Sequence, residues 1–167
     1  MPNSSLQTKK VTIFFVLALI GVVIDQGTKW WFNSTLELYG TGITVIPDFL
    51  SWRLAYNYGA AFSFLADHAG WQRWFFIVIA IIAAIVIAVL IIRRKAHERI
   101  LPYGLALIMS GAIGNVIDRI WHGYVIDFIS TQFGTYYFPI FNFADICVSI
   151  GAGLVILSSF VERSHHE

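Results

Sequence analysis

Long apolar runs alternate with shorter polar segments along this chain, and the runs indicate its fold class. A stretch of about 18 or more apolar residues is long enough to cross a membrane as a helix. Four such runs occur, at residues 11–32, 71–92, 100–119 and 143–161. The pattern predicts a mainly α, polytopic membrane protein with four transmembrane helices, built as a single membrane-embedded domain over residues 1–167.

One segment between the first two runs has the pattern of β structure. Residues 43–56 are rich in β-branched and aromatic side chains, and Pro47 and Asp48 supply a turn within them. We therefore predict a small hairpin or curved sheet within residues 36–56, on the outer membrane surface. Residues 62–74 mix large apolar side chains with charged ones, which predicts an interfacial helix.

Small residues in the third and fourth runs predict close helix packing. A glycine lets two backbones approach, which matters in a membrane because helices there gain little from burying apolar surface. These residues are Ser110, Gly111 and Gly114 in the third run, and Gly151 and Gly153 in the fourth.

The composition agrees with a membrane protein and limits the classes of function that the chain could have. The chain is 57% hydrophobic and 13% charged, with a mean hydropathy of +0.71, unlike a soluble enzyme. The net charge of +1 gives no reason to expect a nucleic-acid partner. Cys147 is the one cysteine of the sequence, so an intramolecular disulfide and a thiolate metal cage are both excluded.

Basic residues predict that both termini are cytoplasmic. Lys9 and Lys10 precede the first run, four basic side chains lie within residues 93–99, and Arg163 follows the fourth run. Cytoplasmic loops carry the excess of Lys and Arg, so these three regions belong on the inner side. The first run could also begin a cleavable signal peptide. It continues past Asp25 without a small-residue cleavage site at its end, however, and we predict a retained span.

Four aspartates are predicted to lie at one level, near the outer boundary of the membrane. With both termini inside, Asp25 falls in the outer third of the first span and Asp118 at the outer end of the third. Asp145 falls in the first turn of the fourth span, and Asp127 in the link before it. A carboxylate at membrane depth costs a few kcal/mol, so such residues are rare and usually functional.

Two of these acids have a basic residue close by in sequence. Asp25 and Lys29 are spaced i, i+4 on one helix face, and Asp118 stands beside Arg119. For each pair, structural neutralisation and a functional role remain equally open. The other two acids have no basic neighbour in sequence, and we expect that pair to carry the chemistry.

The pair Asp127 and Asp145 could act as a proton-sharing dyad. Two carboxyl groups held close together cannot both ionise cheaply, so one keeps a proton. The ionised group can then activate a water against an amide carbonyl, while the protonated group polarises that carbonyl, without a metal or cofactor. Nearby amides could orient a substrate backbone without adding charge, and the candidates are Asn57, Asn115 and Asn142.

Several alternatives remain beside this hypothesis. Asp118 is a rival member of the dyad, because its polar cluster is equally dense. A G-x-S-x-G motif is absent, and His97-Glu98 lacks the second histidine of a zinc protease motif. The intramembrane acids could instead relay protons in a small carrier or channel. A non-catalytic protein that binds lipid through its aromatic outer segment is the third class.

Five motifs resemble those of the lipoprotein signal peptidase family, signal peptidase II. The resemblance covers roughly residues 21–153, and its specificity comes from the order of the motifs rather than from any one of them. The motifs are Asp25 with Lys29, YNYGAAFSF at 56–64, GNVIDR at 114–119, GYVIDF at 123–128 and FNFAD at 141–145.

The resemblance implies an aspartic endopeptidase of the bacterial inner membrane, with an extracytoplasmic β-cradle and an interfacial helix. Its substrate is a prolipoprotein that carries diacylglyceryl-cysteine, and cleavage falls just before that cysteine. The active site faces the periplasm and needs no cofactor or metal. The expected partners are the prolipoprotein and membrane lipid, and we expect a monomer.

The resemblance also implies roles for individual residues of this chain. The catalytic dyad is Asp127 and Asp145. Substrate-binding residues are Asn57, Asn115, Arg119 and Asn142. Supporting residues are Asp25, Lys29 and Asp118.

Overall fold

The computed structural model describes residues 4–59, 70–95 and 97–162, and the side chains from residue 11 onward. Across these described ranges the fold consists of four long helices and a four-stranded antiparallel sheet. The helices are α1 Ser4–Thr35, α2 Trp71–Arg93, α3 Leu101–Trp121 and α4 Phe143–Val161. The strands are β1 Ile43–Ile46, β2 Leu50–Asn57, β3 Val125–Phe133 and β4 Tyr136–Tyr137.

All four helices in this part of the chain are long and apolar enough to cross a membrane, which confirms the mainly α, polytopic fold. The helix α1 is longer than its apolar run, since it continues to Thr35. The hydroxyls of Ser34 and Thr35 both donate to the backbone oxygen of Trp31 and so do not interrupt the helix. The interfacial helix expected over 62–74 falls mostly on residues 60–69, outside the described residues.

Helix α3 packs against α1, α2 and α4, and glycines allow its close approach to α4. A Cβ added at Gly151 would lie 2.6 Å from the backbone oxygen of Gly104, and one at Gly111 would overlap the backbone oxygen of Ala144. The packing role predicted for Gly111 and Gly151 is therefore confirmed. The same prediction is wrong for Gly153, where an added Cβ meets nothing within 4 Å and the residue faces outward.

The predicted hairpin is present as β1 and β2, with Asp48 in the turn at a φ of 58°. The sheet also contains β3 and β4, which the sequence did not reveal. Strand β3 occupies part of the link between the last two helices, and Asp127 pairs there with Ala55 of β2. A local hydrophobic pattern does not disclose a partner strand so distant in sequence, and residues 125–133 were therefore expected only as a link.

The chain returns to β3 after β4, and this return positions the start of α4. Phe141 exchanges backbone hydrogen bonds with Ile129, its N–H donating at 3.0 Å and its oxygen accepting at 2.8 Å. Asn142, the next residue, is the N-cap of α4. The sheet is also held to the end of α1, where Phe32 stacks on Phe128 with ring centroids 4.3 Å apart.

The glycine packing between α3 and α4 gives a matched pair of substitutions. We expect Gly151→Ala to lower the thermal unfolding midpoint in detergent, because the added methyl overlaps α3 and overpacking costs about 1–3 kcal/mol. The control is Gly153→Ala on the same helix, which should leave the midpoint unchanged or slightly raised. Equal midpoints for the two variants would contradict the close contact.

Candidate active site

Asn142 joins Asp127 and Asp145 into one site. Its side-chain Nδ2 donates to Oδ1 of Asp127 at 2.7 Å, and its backbone N–H donates to Oδ2 of Asp145 at 3.1 Å. The side chain of Asn142 has no exposed surface, so its bond to Asp127 forms away from water. A single buried residue therefore fixes the orientation of both carboxyl groups.

Asp145 is held by a capping box at the start of α4. The Oδ1 atom of Asn142 accepts from the backbone N–H of Asp145 at 3.0 Å, while the Asp145 side chain accepts from Asn142 in return. The other oxygen of Asp145 accepts from Nδ2 of Asn115 on α3 at 3.0 Å. Asp145 is half-buried, so it remains accessible from one side.

Asp127 lies deeper, with only 3% of its surface exposed. Its Oδ2 accepts from Nδ2 of Asn57 at 3.0 Å. The Asn57 amide is itself oriented, because its Oδ1 accepts from the backbone N–H of Gly59 at 2.9 Å. Gly59 has a φ of 90°, in the left-handed region that glycine adopts most easily.

The environment of Asp127 favours its protonated form. Burial is the main cause and the neighbouring Asp145 carboxylate the second; together they raise the pKa of Asp127 from 3.8 to about 7. Hydrogen bonds from Asn57 and Asn142 and the charge of Lys29 act in the opposite direction without cancelling the effect. Since the charge of Asp145 contributes to this shift, the two carboxyl groups lie near enough for the ionisation of one to affect the pKa of the other.

Arg119 supplies positive charge at the edge of the site. Its guanidinium stacks over the Phe76 ring at 5.0 Å, and its Nη1 donates to the backbone oxygen of Asn115 at 3.4 Å. It interacts electrostatically with Asp127 and Asp145, and more weakly with Asp118. Arg119 therefore serves the dyad more than it serves its sequence neighbour.

A buried ion triad lies beside the dyad. The Nζ of Lys29 is 2.8 Å from Oδ2 of Asp25 and 3.0 Å from Oδ2 of Asp118, with all three side chains about 1% exposed. The predicted pairing of Asp25 with Lys29 is confirmed. For Asp118, where neutralisation by Arg119 was left open, the cation is Lys29 instead, because consecutive helical residues point in different directions and Asp118 faces α1.

Both acids of the triad also accept hydrogen bonds from backbone N–H groups of other elements. Asp25 accepts from the backbone N–H of Ala144 at 2.9 Å, and Asp118 accepts from that of Ile126 at 3.0 Å. A Cβ at Gly114 would overlap the Asp25 carboxylate, so this glycine provides the space for it rather than for helix packing alone.

Gln26 is a site residue that the sequence analysis missed. Its Nε2 donates to Oδ2 of Asp25 at 3.2 Å, to Oδ1 of Asp118 at 2.9 Å and to the backbone oxygen of Gly114 at 3.1 Å. The available signal was a polar amide next to Asp25 within an apolar run. Within the described residues, His, Cys, Asp and Glu side chains form no group of three that could hold a metal ion.

Comparisons with known proteins agree on one family. The family profile described as Signal peptidase (SPase) II matches residues 17–161. The chain is 45% identical to the Lipoprotein signal peptidase of Pseudomonas putida, covering 100% of this chain and 98% of that protein. It is 41% identical to the Lipoprotein signal peptidase of Pasteurella multocida, covering 96% of each.

A solved structure has the same fold. It is described as a bacterial membrane enzyme structure obtained by the in meso method at 2.3 Å resolution. The TM-score is 0.81 at 33% sequence identity, and the alignment covers 93% of this chain and 92% of that one.

The raised pKa of Asp127 predicts a pH dependence of stability. The folded state binds this proton more tightly than the unfolded state, so its contribution is complete below about pH 4 and is lost as the pH rises to about 7. Asp127→Asn removes the titration. We therefore expect the unfolding midpoint of the wild type to fall relative to that of Asp127→Asn across this range.

The control for this measurement is Asp48→Asn, which makes the same chemical change in the exposed hairpin turn. Its midpoint should run parallel to the wild-type midpoint at every pH. A parallel curve for Asp127→Asn as well would mean that Asp127 is not held in its protonated form.

Proposed function

The chain belongs to the signal peptidase II family, and on that premise we propose that it is an aspartic endopeptidase with Asp127 and Asp145 as its catalytic pair. Its reaction is the removal of the signal peptide from bacterial prolipoproteins, which the names of its relatives support. The main observation in support of an aspartic mechanism is the pair of hydrogen bonds that Asn142 donates, one to each carboxyl group.

The electrostatics support different roles for the two carboxyl groups. Asp127, whose pKa is raised to about 7, is the protonated member and donates to the substrate carbonyl oxygen. Asp145 is the ionised member, stabilised by the donors Asn115 and the Asn142 backbone. It takes a proton from the water that attacks the carbonyl carbon.

The proton balance closes over one turnover. Water oxygen bonds to the carbonyl carbon, one water proton goes to Asp145, and the Asp127 proton goes to the carbonyl oxygen. When the carbon–nitrogen bond breaks, Asp145 protonates the leaving nitrogen and a hydroxyl of the intermediate returns a proton to Asp127. Both aspartates end in their starting states, so the cycle needs no cofactor.

Asp118 is better suited to support than to catalysis. Its Oδ2 contacts Lys29 and the backbone N–H of Ile126, and its Oδ1 accepts from Gln26. A carboxylate with both oxygens engaged in this way has little capacity to exchange a proton with water. We therefore retain Asp25, Lys29 and Asp118 as supporting residues.

The four residues expected to contact substrate differ in solvent exposure. Asn57 is exposed, and Asn115 and Arg119 are half-buried, so these three can reach a bound peptide. Asn142 has no exposed surface and uses its donors within the protein. We therefore assign to Asn142 the orientation of the two carboxyl groups rather than contact with substrate.

The membrane setting supports cleavage just before a diacylglyceryl-cysteine. The catalytic aspartate of α4 lies in its first turn, and the supporting acids lie toward the sheet end of α1 and α3. With both termini cytoplasmic, this end faces the periplasm. Acyl chains anchored in the outer leaflet would hold the scissile bond at this depth. One copy of the chain supplies all the proposed site residues, so the proposed active form is a monomer.

Replacement of the dyad tests the catalytic assignment. We expect Asp127→Asn and Asp145→Asn each to abolish cleavage of a diacylglyceryl-modified precursor by the purified protein, because neither amide can replace the acid or the base. Thermal unfolding should show that both variants remain folded. The control Ser110→Ala changes a buried polar residue of α3 outside the dyad and should cleave at the wild-type rate.

Two outcomes would overturn this assignment. Full activity of either dyad variant would reject the pair, and complete loss of activity in a folded Asp118→Asn variant would favour Asp118 as a member. We expect Asp118→Asn to be less stable and to retain partial activity.

The proton on Asp127 also predicts the alkaline limit of activity. We expect kcat/KM to fall as the pH rises above about 7, because deprotonation removes the acid. Asn57→Leu should move this limb to higher pH, since the Asn57 hydrogen bond lowers the pKa of Asp127. A limb that stays in place, or moves to lower pH, would contradict Asp127 as the acid.

A further inference from the structure

We propose that Lys29 is a positioning residue of the catalytic pair, which sets the orientation of the Asn115 amide and thereby selects Asp145 as the base. The inference rests on the proposed function. It concerns a residue that lies one contact away from the dyad and touches neither catalytic carboxyl.

The ammonium of Lys29 has three oxygen partners. Two are the carboxylates of Asp25 and Asp118, at 2.8 and 3.0 Å, and the third is Oδ1 of Asn115 at 2.9 Å. An ammonium offers three donors and no acceptor, so each donor has an oxygen. The third partner is unnecessary for charge neutralisation, which the two carboxylates already provide.

The third contact fixes which way the Asn115 amide points. With Oδ1 held by Lys29 and by Nδ2 of Asn142 at 3.2 Å, Nδ2 of Asn115 faces Asp145 at 3.0 Å. A flipped amide would direct its NH₂ group at the ammonium and its oxygen at a carboxyl oxygen of Asp145. Both contacts would be repulsive, so the charge of Lys29 keeps a donor on Asp145.

The triad also reaches the backbone directly before each catalytic residue. Asp25 accepts from the N–H of Ala144, which precedes Asp145, and Asp118 accepts from the N–H of Ile126, which precedes Asp127. Removal of Lys29 alone would leave two buried carboxylates without a cation, and the protein could simply fail to fold. The test must therefore separate neutralisation from positioning.

An uncharged triple variant achieves this separation. Lys29→Met combined with Asp25→Asn and Asp118→Asn removes all three charges, yet each new asparagine keeps an oxygen for the N–H group it holds. If Lys29 only neutralises, this variant should recover the wild-type rate. If Lys29 positions Asn115, the variant should fold but lose kcat by about 10²-fold, as small misplacements do, while KM changes little.

The division of the loss between kcat and KM provides a readout that a purely structural role would not move. A misdirected Asn115 amide disturbs the carboxyl group of Asp145, so kcat should fall while KM stays close to its wild-type value. Wild-type kcat in the folded triple variant would overturn the proposal.

A double-mutant cycle tests whether Lys29 acts through Asn115. Asn115→Leu alone leaves the ion triad intact and should lower kcat by a similar factor. Adding the triple change to Asn115→Leu should produce no further change in kcat. Additive losses would show that Lys29 acts by another route and would contradict the proposal.

One measurement avoids the triad variants. In protein with ¹⁵N-labelled asparagine side chains, the Asn115 amide resonance should shift on Asp145→Asn, because its acceptor loses charge, whereas Ser110→Ala should leave it in place. An unchanged resonance would overturn the proposal whether or not the triple variant folds. Failure of the proposed function would be seen in different experiments: the wild-type protein would not cleave the precursor, or a dyad variant would still cleave it.

Discussion

A buried lysine between two buried aspartates is the constraint on which the site depends. The triad of Asp25, Lys29 and Asp118 lies among helices able to cross a membrane, where an unpaired charge would be expensive. The acids compensate for their burial by accepting from Lys29 and from main-chain N–H groups. The three helices and the strand that meet here can therefore occupy few other arrangements.

The neighbouring dyad is surrounded by different chemistry. Among the described residues, the hydrogen-bond donors to the carboxyl groups of Asp127 and Asp145 are side-chain amides and a backbone N–H group. Such donors orient a carboxyl without committing it to the ionised state as strongly as a bonded cation would. Under the proposed assignment, four aspartates within one region therefore serve two purposes: Asp25 and Asp118 are fixed in salt bridges, and Asp127 and Asp145 exchange protons.

The sequence predicted what depends on local pattern and missed what depends on distant pairing. Apolar runs located the helices, and alternation located the β1–β2 hairpin. Strand β3 was not predicted because its partner Ala55 lies far from Asp127 in sequence. Similarly, the ion-pair partner of Asp118 is Lys29 on another helix, which proximity in sequence to Arg119 could not reveal. Asn142 lies between the two aspartates because Phe141, the preceding residue, pairs with Ile129 of β3. No local sequence pattern predicts this pairing.

The central claim is that Asp127 and Asp145 face each other closely enough to act as one proton-sharing pair. The most direct test is a titration of ¹³C-labelled aspartate carboxyl groups by NMR in the wild type and in Asp145→Asn. The account expects the pKa of Asp127 near 7 in the wild type and a lower value in the variant, because the Asp145 charge contributes to the raised pKa. An identical Asp127 titration in both proteins would show that the two carboxyl groups do not interact, and would contradict the account.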